Sequence, residues 1–191
     1  NGAGKTTTIS LMSTLLLPTE GEIRVDGEVL SRKNPGLKRK ISVITQEYSM
    51  RQDMTMDEVM EYQGRLYFMP RKKIREKTEE LLEFCGLIDF RRRTVRKLSG
   101  GMKRRLSIAC ALVENPPFLL MDEPTTALDL YYKESLHQWM KTYQQKNGII
   151  LMTTHDESEI RNADRCLFMD EGKVQELDAE DILQKFAGMS E

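Results

Sequence analysis

With 191 residues, 39% of them hydrophobic and 31% charged, the chain has the composition of an ordinary globular domain with a real core, not of a disordered segment. No stretch approaches the roughly 18 apolar residues needed to cross a bilayer, so a membrane role would run through a partner. Net charge is only −1, yet residues 71–105 carry thirteen Lys/Arg against five Asp/Glu, and residues 121–191 carry seven against fifteen. The basic stretch lacks aromatic interleaving and no recognition fold accompanies it. It reads as a solvated helical face or one attracted to a bound nucleotide's charge, so no nucleic-acid partner is expected.

In chain order, Asn1-Gly2-Ala3-Gly4-Lys5-Thr6-Thr7 matches a phosphate-binding loop, G-x-x-x-x-G-K-[ST], that lacks its first glycine and one further residue. Gly2 and Gly4 let backbone N–H groups converge on phosphate oxygens. Lys5 supplies a mobile charge for the β- and γ-phosphates, and Thr6 a hydroxyl for Mg²⁺. The spacing predicts a helix over 5–17, with its positive end toward the anion. Strands over 22–25 and 28–30 would form a hairpin about Asp26-Gly27. A β-rich run over 41–45 ends at Gln46. A mostly helical block follows over 56–114, with helices at 57–68, 71–85 and from Gly100 on. Apolar strands at 118–121 and 149–152 flank a helix over 131–145, the pattern of a parallel sheet covered on both faces. Cys85, Cys110 and Cys166 lie far apart without C-x-x-C spacing and read as small apolar groups.

Two further motifs carry chemistry. Asp122 and Glu123 follow the first apolar strand, where open α/β sheets bind ligands. Asp122 is placed to hold Mg²⁺ and Glu123 to polarise an attacking water as a general base. By itself, D-E-P could equally be a solvated acidic turn. Leu98-Ser99-Gly100-Gly101-Met102 opens a helix, with Ser99 as cap and two glycines baring the N–H groups at its positive end. That is a second anion site, and one ATP does not need two. The economical explanation is that it completes the pocket of another copy, although an ordinary Ser-Gly cap has the same residues.

The order and spacing of residues 1–7, Gln46, 98–102, 118–124, Ala127-Leu128-Asp129 and His155 resemble the motif set of an ABC-type ATPase domain, over essentially the whole chain. The resemblance implies an α/β P-loop NTPase core with a mostly parallel sheet. It implies one domain over 1–191, with a helical subdomain at about 47–115 inserted in the core. Lys5, Thr6 and Gln46 would serve phosphate and Mg²⁺, and Asn1 to Thr7 would cradle ATP. Ser99, Gly100 and Gly101 would bind the γ-phosphate held by an opposite protomer, and Asp129 would lie in a loop linking the two sites. His155 would contact the γ-phosphate and help hold the attacking water. His137, on a helix beside Trp139, reads as structural.

Several departures matter. The upstream glycine, the strand leading into the loop and the adenine-stacking aromatic of this family are missing. The chain begins with Asn, so it is read as a piece of a longer product. Met102 stands where many members have Gln, a variant similar to the exporter branch. The implied protein is an ATP-hydrolysing subunit, cytoplasmic and peripheral on the inner membrane face. It would act as a homodimer or paired with another ABC subunit, against a transmembrane permease partner gripped by residues 48–56 and the helical insert. Met50, Met54, Met56, Met60 and Met69 crowd that region, suited to an adaptable interface or to core packing. The alternative is a soluble ABC ATPase acting on ribosomes or DNA. A regulatory domain without turnover is disfavoured by the presence of both Glu123 and His155.

Overall fold

The computed structural model describes residues 2–45, 50–126 and 128–188. Helix α1 (Lys5–Met12) leads to a short antiparallel ribbon of β1 (Arg24–Val25) and β2 (Glu28–Val29). Both turn residues have positive φ, 52° at Asp26 and 79° at Gly27, as a two-residue I′ turn requires. Next come α2 (Pro35–Arg39), β3 (Ile41–Ile44), α3 (Met56–Leu66), α4 (Arg71–Phe84), α5 (Gly100–Leu112) and β4 (Phe118–Asp122). Then follow α6 (Leu130–Gln145), β5 (Ile149–Thr153), α7 (Glu157–Arg161), β6 (Cys166–Asp170), β7 (Lys173–Leu177) and α8 (Ala179–Gly188).

Strands β3, β4 and β5 form a parallel sheet in that order, with Ile41 opposite Phe118 and Asp122 opposite Thr153. Helix α5 packs on β3, α1 beside β4 and α6 on β5. Covering of this kind is why β4 reads as an uninterrupted apolar run: Leu119 and Met121 have no exposed surface. Strands β6 and β7 pair antiparallel as a separate hairpin. Between β3 and β4 in the chain, helices α3, α4 and α5 pack on one another around Met56, Met60, Leu82 and Leu106, each fully buried.

The first helix is shorter than its composition predicts. It stops at Met12, and Thr14 adopts a left-handed φ of 62°. The carbonyls of Thr14 and Leu15 accept from the Arg32 guanidinium at 3.2 and 2.7 Å, so a long-range partner replaces the next helical turn. Leu15, Leu16 and Leu17 are left exposed. Helix α2 was not anticipated, although Asn34 caps it by accepting from Leu37 N at 3.2 Å and Pro35 opens it, a recognisable start signal. The methionine-rich region is largely core: Met56 and Met60 have no exposed surface, and Met50, Met54 and Met69 pack against that cluster. Met60 Sδ lies 3.7 Å from the Cys110 thiol. All three cysteines are free, and burial pushes the Cys85 and Cys110 thiols up to about 12, so neither is a nucleophile at neutral pH. Among the described residues no helix is long and apolar enough to cross a membrane.

Candidate functional site

The Gly2-to-Thr7 loop runs directly into α1. Gly2 and Gly4 hold φ of 81° and 105°, where a Cβ would strain the backbone, and space beside Gly2 is open to 4 Å. Gly4 is the α1 N-cap and offers no side-chain cap, and the first turn contains no acidic residue. The N–H groups at that positive end are therefore left for an external anion. Among the described residues the Lys5 ammonium makes no ion pair. The loop is braced from behind, since Gly172 N, in the β6–β7 turn, donates to Ala3 O at 2.9 Å.

Strand β4 delivers the acidic pair. Asp122 is 3% exposed, and its Oδ1 accepts from Thr153 Oγ1 at 2.5 Å across the β4–β5 register. Glu123 N donates to Thr153 O and Oγ1, both at 3.1 Å. Glu123 itself sits at φ 47°, a left-handed conformation that costs a non-glycine residue about 1–3 kcal/mol and is kept only where its surroundings enforce it. That turn aims the carboxylate at His155: Glu123 Oε1 lies 3.6 Å from His155 Nε2, while Oε2 accepts from Thr126 Oγ1 at 3.3 Å. Glu123 and His155 share an open pocket with Thr125, Lys133 and Thr154. A carboxylate next to an imidazole at the carboxyl ends of adjacent parallel strands can polarise a water between them.

The loop bearing His155 is tied down on both sides. Thr154 Oγ1 donates to the fully buried Glu159 carboxylate, which also pairs with His137 Nε2 at 3.1 Å. Glu159 explains His137: the imidazole is a structural partner. Asp156 N donates to Thr154 Oγ1 at 2.9 Å, and Asp156 caps α7 through Ser158 N and Glu159 N while pairing with Lys133. The Lys133 hydrogen bond, then that of Ser158, hold the Asp156 carboxyl down at about 2, below its ordinary 3.8. A depressed carboxyl stabilises the fold above the ordinary carboxylate range and loses that contribution as pH falls through it toward 2. Asp156→Asn should therefore cost on the order of 1 kcal/mol at pH 7, a gap that closes between about pH 5 and 2. Urea unfolding of both proteins across that range measures it; a gap independent of pH would contradict the pairing.

Ser99 caps α5 by accepting from Met102 N at 3.2 Å, and a Cβ on the exposed Gly100 would meet nothing within 4 Å. Gly101 continues the first turn. Asp129 caps α6 by accepting from Tyr132 N at 3.2 Å. The structure thus gathers Asp122, Glu123 and His155 at one sheet edge, and the pocket lined by Glu123 and His155 includes neither Lys5, Thr6 nor Ser99. Asn1, Gln46, Tyr48 and Ala127 lie outside the described residues. Thr153 was missed as a site residue. In the sequence it is visible only as the first polar residue after an apolar run, as Asp122 is; the sheet register is what sets the two side by side. For Mg²⁺ the fitting donors are the Asp122 carboxylate and Thr6 hydroxyl. Among the described residues no group of three or more His, Cys, Asp or Glu could cage a metal.

Residues 1–126 match the family model described as ABC transporter. The chain is 38% identical over 176 residues to the daunorubicin/doxorubicin resistance ATP-binding protein DrrA of Streptomyces peucetius, covering 91% of this chain and 53% of that protein. It is 36% identical over 179 residues to the spermidine/putrescine import ATP-binding protein PotA of Clostridium acetobutylicum, covering 93% and 51%. It therefore spans about half the length of these curated relatives. The fold superposes with TM-score 0.83 and 29% identity on an ATP-binding cassette in a dimeric post-hydrolysis state bound to ADP and Pi, covering 93% of this chain and 82% of that one. The chain belongs to the ABC transporter family of ATP-binding domains.

Proposed function

We propose that this chain is the ATP-binding and ATP-hydrolysing part of a membrane transporter, driven by closure of two copies, or of two paired ABC subunits, on two Mg·ATP. The observation that carries the reading is the Glu123–His155 pair at 3.6 Å, beside a β4 whose neighbour α1 opens on a glycine loop without an internal cap. Asn1 to Thr7 cradle the triphosphate, with Lys5 on its β- and γ-phosphates. Asp122, Thr6 and Gln46 hold Mg²⁺, which when bound neutralises charge developing on the phosphates. Glu123 accepts the proton of the attacking water and His155 orients it against the γ-phosphate. Ser99, Gly100 and Gly101 present the α5 N-terminus to the nucleotide of the opposite copy, and Asp129 belongs to the loop joining the two sites. Positioning and charge stabilisation dominate over covalent chemistry.

The helical insert at about 47–115, together with residues 48–56, grips a transmembrane permease, which places the protein on the cytoplasmic face of a membrane through that partner. Met102 favours export. Relatives named for drug resistance and for polyamine import are similar to this chain to nearly the same degree, so overall likeness does not set direction. Affinity purification of the full-length protein from detergent-solubilised cells tests the transport reading. A multi-span membrane protein recovered in stoichiometric amount is expected; ribosomes or DNA in its place would overturn it.

A further inference from the structure

Helix α5 carries an arginine into the interior that the reading above does not use. Arg104 is 1% exposed, and a guanidinium so placed is costly unless its donors are satisfied. Nε donates to Pro124 O at 2.9 Å, Nη2 to Asp122 O at 2.8 Å and also to Glu123 O, and Nη1 to Thr45 O at 2.6 Å. Three of those carbonyls are consecutive and bracket the left-handed Glu123; the fourth follows β3. A planar five-donor fork can hold several carbonyls in one geometry, which an ammonium cannot. Glu123 is thereby held at both ends, its N–H by Thr153 and its C=O by Arg104.

We infer that Arg104 is a positioning residue for hydrolysis: it locks the Asp122-Glu123-Pro124 turn so that the Glu123 carboxylate stays at His155. This rests on the proposed role of Glu123 as the base. Because Arg104 rides on the helix that Ser99 caps, its side chain alone couples a displacement of α5 to that turn. Strain at Glu123 persists because this arginine over-determines it. Carbonyls from anywhere would satisfy a buried guanidinium; three of these are consecutive and centre on one strained residue.

The test is a double-mutant cycle in the full-length protein with Arg104→Gln, Arg104→Lys and Glu123→Gln. Both Arg104 variants should bind a fluorescent ATP analogue within about twofold of the parent, while kcat falls by about tenfold or more. Adding Arg104→Gln to Glu123→Gln should lower the residual rate by less than about twofold, because a residue acting through Glu123 has nothing left to position. Equal fractional losses in both backgrounds, or parental kcat in a folded Arg104 variant, overturn the inference. Parental turnover by Glu123→Gln removes the base assignment itself, and a loss from Arg104→Gln in that case places its effect elsewhere. If Arg104→Gln shows no cooperative unfolding, Arg104→Lys carries the cycle, since it keeps the charge and reaches fewer of the carbonyls.

Discussion

Glu123→Gln in the full-length protein is expected to lower ATP turnover by about 10²–10⁴-fold while leaving nucleotide affinity close to parental. Glutamine keeps the size of the side chain and can still accept from Thr126 Oγ1, but its amide has no basicity to take a proton from water. The glycine loop and α1 are untouched, and they supply the anion-binding N–H groups. ATP that is bound and not cleaved should then accumulate the closed pair of protomers, visible by light scattering in the presence of ATP and Mg²⁺. Single-turnover kinetics separate the lost chemical step from slow release. Parental turnover would show that the proton goes elsewhere.

Substitution at Ser99 should act on association and not on binding by one protomer. Ser99 and Gly100 are exposed at the start of α5, and the proposed contact is with a phosphate held by another copy. Ser99→Phe would fill that approach but also removes a helix cap worth about 0.5–2 kcal/mol. Ser99→Asp makes the cleaner probe, because aspartate caps a helix equally well and sets a negative charge against the γ-phosphate. Like-charge juxtaposition of this kind costs several kcal/mol, so nucleotide-driven dimerisation in the Glu123→Gln background should weaken by about 10²-fold or more. Sedimentation with saturating ATP reads the dimer, and equilibrium binding at low protein concentration reads the monomer. An unchanged dimer in both Ser99 variants would remove the shared-site geometry.

Some features of this chain were settled within a few residues of one another, and those were legible. Asp26-Gly27 requires two positive φ values in succession and so makes its hairpin. Ser99 before two glycines makes a helix start whatever surrounds it. The run at 118–121 is too apolar to lie anywhere but inside a covered sheet, and the run at 149–152 pairs with it in parallel although Ile149 stays exposed and the rest of that run is only half-buried. Glycines, lysine and threonine at fixed spacing define an anion loop because backbone N–H geometry is local. Where a distant group decided the outcome, the sequence read alone went astray or was silent. The first helix looked long enough to reach Leu17, but it closes at a left-handed Thr14, with Arg32 taking the carbonyls beyond. The five methionines suited an adaptable interface or core packing equally, and packing decided: two of them are fully buried core.

The Asp122–Glu123 turn belongs to the second kind. Asp122 and Glu123 stood out as an acidic pair, yet nothing nearby specified a left-handed Glu123, a Thr153 hydroxyl joining both residues, or a guanidinium gathering carbonyls at the ends of β3 and β4. Those partners lie roughly twenty to sixty positions away in the chain. Their meeting is set by sheet register and helix packing, which are collective properties of the folded chain. Local backbone chemistry therefore determined the conformation each segment could take, and tertiary packing alone decided which groups would face each other across the site.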